Sequence, residues 1–211
     1  MGKLRVGVLV SGRGSNLQAL LDATGSGEVL AEIVVVVSNR ADAYALRRAQ
    51  ARGVPTAVLE RKEFPSRAAH QRAIADVLRR AEADLVVLAG FDRVLGPEFI
   101  AAYPLRIVNI HPSLLPAFGG GLHAQADALA HGAKVSGCTV HFVTDDIDAG
   151  PIILQATVPV LDEDTAETLA ARILEQEHRI LPRAVGLIAE DRLVVEGRRV
   201  RVKPGEASVR Q

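Results

Sequence analysis

The segment Asn109-Ile110-His111-Pro112-Ser113-Leu114-Leu115-Pro116 combines residue types suited to catalysis. It ends the apolar run Arg106–Ile110, which reads as a buried β-strand. Side chains alternate along a strand, so Asn109 and His111 point to the same side. An asparagine hydrogen-bonds an oxygen, and a histidine holds or delivers a proton near neutral pH. The pair suits a carbonyl carbon that turns tetrahedral while its oxygen gains negative charge. The competing reading is a solvated histidine at a strand end. Pro112 and Pro116 stiffen the loop that follows.

Two other segments carry chemistry. Thr144-Asp145-Asp146-Ile147-Asp148-Ala149-Gly150-Pro151 crowds three carboxylates into one loop, the pattern of a solvated turn or a metal site. It lacks the alternating ligands and terminal Glu of a calcium loop. A carboxylate beside an imidazole favours the charged ring, but spacing alone pairs none of these with His111. Near the amino terminus, Val10-Ser11-Gly12-Arg13-Gly14-Ser15-Asn16 turns from a strand into a helix. Gly12 and Gly14 let backbone N–H groups approach an anion at the helix's positive end. Leu17 stands where a dinucleotide fingerprint needs its third glycine, and a P-loop ending is absent, so the loop suits a single phosphate. Equally, it is a tight connection with Ser15 and Asn16 as caps.

These segments need a frame to bring them together, and the chain's periodicity predicts one. Strands read at Leu4–Val10, Ile33–Val37, Val54–Leu59, Leu85–Ala89 and Arg106–Ile110, with helices at Leu17–Ala23, Ala41–Arg52 and Ser66–Ala81 between the first four. That alternation predicts a Rossmann-like α/β fold, a mostly parallel sheet flanked by helices. Later come strands Val135–Val143 and Ile152–Val160, a helix over Thr165–Ala189 bent at Pro182, and a hairpin of Leu193–Val195 with Arg199–Val202, together an antiparallel carboxy-terminal extension. The expectation is one domain over residues 1–202, with a flexible tail at 203–211. About 1–105 would form a phosphate-binding half and about 106–190 a catalytic half.

Composition narrows the function classes. Hydrophobic residues make up 48% of the 211 and aromatics only 3%, so the core must be aliphatic. Lys+Arg and Asp+Glu number 25 each, so no charge excess points to nucleic acid or a membrane surface. The lone Cys138 excludes an internal disulfide framework and a cysteine zinc cluster. With no signal peptide or membrane span in the pattern, a cytoplasmic protein is expected.

Taken together, Gly12–Leu20, Val87–Leu95, Asn109–Pro116, His141–Gly150 and Gln176–His178 resemble the glycinamide ribonucleotide formyltransferases, folate-dependent enzymes of purine synthesis. The resemblance runs from about residue 4 to about residue 190. It implies direct transfer of a formyl group from 10-formyltetrahydrofolate to the amine of glycinamide ribonucleotide, without metal. It makes Asn109, His111 and Asp148 the catalytic group. It places the substrate phosphate on Gly12, Arg13, Gly14, Ser15 and Asn16, and the sugar hydroxyls on Glu177. The folate site would take in Arg67, Asp92, Arg93, Val94, Leu95, Asn109 and the loop Thr144, Asp145, Asp146, Ile147, Asp148, with Arg67 at the glutamate tail. By composition alone, Glu177 and Arg67 read as exposed helix residues. Members of the family can dimerise, and no patch of this sequence marks such a contact.

The chain departs from the family at Asp92, where an apolar residue is usual, and at Leu174, usually polar. Ala117-Phe118-Gly119-Gly120-Gly121-Leu122-His123 is richer in glycine than the family's turn, which predicts a looser loop over the substrate. A formyltetrahydrofolate deformylase shares the Asn–His–Asp group but carries an added amino-terminal domain and usually a second His where Pro112 stands. Methionyl-tRNA formyltransferase adds an RNA-binding domain at the other end. A non-catalytic nucleotide-binding module would leave His111 idle and bind no folate, and a dehydrogenase lacks its third glycine here.

Overall fold

The computed structural model describes residues 2–121 and 123–204. Its strands are β1 (Leu4–Val10), β2 (Ala31–Ser38), β3 (Thr56–Val58), β4 (Leu85–Leu88), β5 (Ile107–His111), β6 (Val135–Phe142) and β7 (Ile152–Pro159), with a hairpin of β8 (Leu193–Glu196) and β9 (Arg199–Val202). The first seven make one sheet in the order β3-β2-β1-β4-β5-β6-β7. Pairing is parallel from β3 through β5 and antiparallel at β6 and β7. Chain order reverses between β1 and β4, and in such sheets the crevice outside the strands' carboxyl ends at that point is where ligands bind.

Helices cover both faces. On one side α1 (Ser15–Gly25) and α6 (Ala166–Ala189) bury Leu17, Leu20, Leu169, Ile173 and Leu181 against Val6, Val8, Val36 and Val87. On the other, α3 (Arg67–Arg80) and α4 (Pro97–Ala102) bury Ile74, Leu78 and Phe99 against Leu9, Val37, Val86 and Ile107. Strands buried on both faces read as near-continuous apolar runs, which is why the valine-rich segments were legible. Ser66 caps α3 by accepting from the Ala69 N–H, as expected of that residue type.

Other features depart from expectation. Helix α2 is shorter than predicted, Tyr44–Ala51. Helices α4 and α5 (Ala124–Ala130) are too short to show a helical period in sequence. Helix α6 continues through Pro182, which is buried, over its whole span Ala166–Ala189. Lys203, assigned to the tail, is tied down: its N–H donates to the Arg192 carbonyl and its ammonium reaches Asp191. The rest of that expected tail, 205–211, lies outside the described residues. No helix among the described residues is long and apolar enough to cross a membrane.

Gly150 closes the acidic loop back onto β6, and a Cβ there would overlap the Phe142 carbonyl oxygen. Since the obstacle is backbone, a side chain forces the loop and strand apart. Gly150→Ala is expected to destabilise the protein by about 1–3 kcal/mol, visible in thermal denaturation as a midpoint lower by several degrees.

Candidate active site

At the end of β5, Asn109 and His111 share one side of the strand, and antiparallel β6 sets His141 directly opposite Asn109. The His111 ring is buried between two acceptors: Nε2 lies 3.0 Å from the Phe118 carbonyl oxygen and Nδ1 3.4 Å from Asp148 Oδ2. Each ring nitrogen thus faces an oxygen acceptor, which fixes the orientation of the imidazole. Asp148 has a φ of 51°, a left-handed conformation that aspartate tolerates better than most residues. Its Oδ2 also accepts from the Gly120 N–H at 2.8 Å. The glycine run expected to loosen this loop is therefore anchored to the carboxylate.

His141 completes the group. Its Nδ1 lies 2.9 Å from the Phe142 carbonyl oxygen, and Nε2 lies 3.3 Å from Asn109 Nδ2 and 3.7 Å from Asp148 Oδ1. Burial of the ring holds His141 below the usual histidine range, against the pull of the Phe142 carbonyl and Asp148. A neutral ring that donates from Nδ1 carries its lone pair on Nε2, so Asn109 Nδ2 donates to it. The amide of Asn109 is thereby oriented, with a second N–H left for an oxygen in the crevice. Sequence reasoning missed His141 and the Phe118 carbonyl, because their roles depend on the β5–β6 register and on a loop returning seven residues later.

That loop is fixed from beneath. Fully buried Ser113 donates to the Ala117 carbonyl at 2.6 Å, and Thr139 accepts from the Leu115 N–H and donates to the Ser113 carbonyl. Gln155 donates to both the Leu115 carbonyl and Thr139 Oγ1. Buried polar groups satisfied in this way specify one loop conformation.

The glycine loop lies across the crevice. Gly14 has a φ of 70°, and a Cβ there would sit 2.8 Å from Ala45 Cα, so both backbone conformation and packing demand glycine. It leads directly into α1, whose N-terminus has no side-chain cap, so first-turn N–H groups remain open to an anion. Arg13 is exposed, and its carbonyl accepts from Arg48 Nε. Asn16 is buried and donates to Glu177 Oε2 at 2.7 Å, while its own Oδ1 is buried with no partner among the described residues. Glu177 is also buried, not the exposed helix carboxylate of the alternative reading. Burial raises its pKa above the usual carboxylate range, opposed by the Asn16 hydrogen bond and the nearby His111.

Beyond β4, the Asp92 carboxylate joins three strand ends. It accepts from Asn39 Nδ2 at 2.7 Å and Ser11 Oγ at 3.1 Å, and pairs with Arg40 at 2.6 Å and Arg93 at 3.4 Å. Burial pushes its pKa up, but these four partners win and hold it below the ordinary range. An acid is accommodated at this usually apolar position because its charge is matched by these neighbours. Val94 is exposed, Leu95 is buried, and Arg67 donates to the Val94 carbonyl. Across from them, Asp145, Asp146 and Ile147 are exposed and Thr144 donates to the Asp146 carbonyl. His123 precedes α5 and is exposed. Among the described residues, no group of three His, Cys, Asp or Glu side chains is placed to hold a metal ion.

The arrangement is thus an oriented amide and a doubly accepted imidazole facing a cleft, with an open helix N-terminus at one end. The formyl transferase family model matches residues 4–185. The trifunctional purine biosynthetic protein adenosine-3 of Bos taurus is 49% identical over 187 residues, 89% of this chain, which spans only 18% of that protein's length. The phosphoribosylglycinamide formyltransferase of Escherichia coli is 44% identical over 190 residues, 90% of this chain and 89% of its own. The crystal structure of glycinamide ribonucleotide transformylase 1 from Symbiobacterium toebii superposes with a TM-score of 0.94 at 54% identity, covering 96% of this chain and 95% of that one. With matches of this extent in sequence and fold, the chain belongs to the formyl transferase family.

Proposed function

We propose that this chain transfers the formyl group of 10-formyltetrahydrofolate to the amine of glycinamide ribonucleotide, giving formylglycinamide ribonucleotide and tetrahydrofolate in de novo purine synthesis. The observation that carries the reading is the conjunction of two sites on one crevice: the uncapped N-terminus of α1 beside the orphaned Asn16 Oδ1, and the oriented Asn109–His111 pair. The first suits a phosphorylated sugar and the second a carbonyl about to become an oxyanion. We place the reaction in the cytoplasm, a compartment compatible with the single free thiol of Cys138.

In this account Gly12, Arg13, Gly14, Ser15 and Asn16 receive the phosphate, and Glu177, held by Asn16, receives sugar hydroxyls. The folate co-substrate lies between Asp92–Leu95 and Thr144–Asp148, with Arg67 at the rim, and supplies a formyl group carried on nitrogen. As the substrate amine bonds to the formyl carbon, Asn109 Nδ2 donates to the formyl oxygen, and His111 Nε2 exchanges the Phe118 carbonyl for that oxygen and stabilises its growing charge. Breaking the carbon–nitrogen bond to the folate completes transfer, the amine losing a proton and the folate nitrogen gaining one. Asp148 keeps His111 oriented, and no step calls for a metal.

The test is to mix the purified chain with both substrates and follow deformylation of the folate by absorbance, with and without the ribonucleotide. Turnover that requires the ribonucleotide is expected. Turnover without it would make the chain a hydrolase, and none in either case would overturn the reading. His111→Ala should lower kcat on the order of a hundredfold to a thousandfold, the effect of removing one oxyanion donor.

Glu177→Gln separates binding from stability. It keeps an acceptor for Asn16 but loses the charge, so KM for the ribonucleotide should rise roughly 10- to 100-fold. The folded-state pKa of Glu177 lies above its unfolded value. Its contribution to stability is therefore fully present below the unfolded pKa and lost as pH rises through the folded one. The variant should thus melt above wild type near about pH 8, with the gap closing near about pH 4, as thermal denaturation across pH would record.

A further inference from the structure

The segment Asp92–Gly96 has no regular secondary structure, yet the side chain of Gln71 holds it. Gln71, on the buried face of α3, donates from Nε2 to the Val94 carbonyl at 2.9 Å and accepts at Oε1 from the Gly96 N–H at 2.8 Å. Bonding the C=O of one residue and the N–H of the residue two further on is the pattern a single residue makes in a parallel β-pair. The amide of Gln71 acts as a strand one residue long. Gly96 permits the approach, because a Cβ there would stand 3.0 Å from Gln71 Oε1.

Pairing on that edge has a consequence for the intervening residue. With Val94 C=O and Gly96 N–H turned toward α3, the N–H and C=O of Leu95 lie on the opposite edge. Neither makes a hydrogen bond within the protein among the described residues. The Leu95 side chain is buried in the core, which limits rotation of this stretch. An adjacent donor and acceptor held in fixed geometry match a planar heterocycle edge of amide type.

We propose that Gln71 is a positioning residue for the folate co-substrate, fixing the edge of Asp92–Gly96 so that Leu95 presents its N–H and C=O to the bound ring. The proposal rests on the assignment of Asp92–Leu95 to the folate pocket. Gln71 touches no reacting atom. It acts on folate affinity, and the ribonucleotide site at α1 is separate from it.

The probe is 10-formyl-5,8-dideazafolate, a stable folate analogue, titrated into wild type, Gln71→Leu and Gln71→Glu, with kinetics on both substrates alongside. Gln71→Leu should weaken analogue binding and raise KM for the formyl donor about tenfold, the loss of one well-placed interaction. Its kcat and KM for the ribonucleotide should stay within about twofold of wild type. In Gln71→Glu, an ionised carboxylate faces the Val94 carbonyl without a proton to donate, so analogue binding should be weak at neutral pH. It should recover as pH falls and the carboxyl regains its O–H, relative to wild type at each pH. If Gln71→Leu fails to fold, the pH recovery of Gln71→Glu decides the matter. Wild-type binding matched by both variants, or KM values for both substrates raised alike, overturns the role of Gln71 alone. No binding by wild type overturns the pocket assignment itself and the proposal with it.

Discussion

Everything chemical in this molecule depends on one register, the antiparallel pairing that sets Asn109 on β5 opposite His141 on β6. The switch from parallel to antiparallel at this pair brings a second imidazole to the site. Because His141 is buried and neutral with its Nδ1 committed to a carbonyl, it accepts from Asn109 and determines which way that amide faces. Asp148 then lies between two rings, 3.4 Å from His111 and 3.7 Å from His141. A one-residue slip of β6 would turn His141 to the other face of the sheet and dissolve the arrangement.

The rest of the fold holds these groups around one crevice. The reversal of strand order between β1 and β4 opens the crevice, and side chains from distant segments close it at measured points. Asn16 reaches Glu177 across 161 residues of sequence, which ties the glycine loop to the last long helix. Asp92 ties the ends of β1, β2 and β4 together through Ser11, Asn39 and Arg40. These contacts join what the sequence suggested as two halves into a single continuous structure, consistent with the unbroken sheet.

Much of this was legible from sequence because the physics was local. The double-sided burial of β1, β2, β4 and β5 writes runs of valine and leucine, and alternation alone placed Asn109 and His111 side by side. The Ser66 cap was likewise local. Pairings made through space were not. Spacing could not say that Asp148 faces His111, nor that Glu177, which composition reads as an exposed helix residue, is buried against Asn16. His141 carried no signal of its own, since a histidine on an apolar strand is usually just a satisfied core residue. Asp92 stood out only as a departure from the family's usual apolar residue, because its four partners come from three separate segments and leave no local signal. The glycine run at Gly119–Gly121 suggested looseness, and only the backbone bond from Gly120 to Asp148 shows how it is anchored.

The most direct test of this account is the tautomer of His141, read from the nitrogen-15 chemical shifts of its ring at neutral pH. The account predicts a neutral ring protonated at Nδ1, with Nε2 bare and accepting from Asn109. A ring protonated at Nε2 would turn the Asn109 oxygen toward it and take the N–H away from the formyl oxygen, contradicting the claim that this pair of strands orients the catalytic amide.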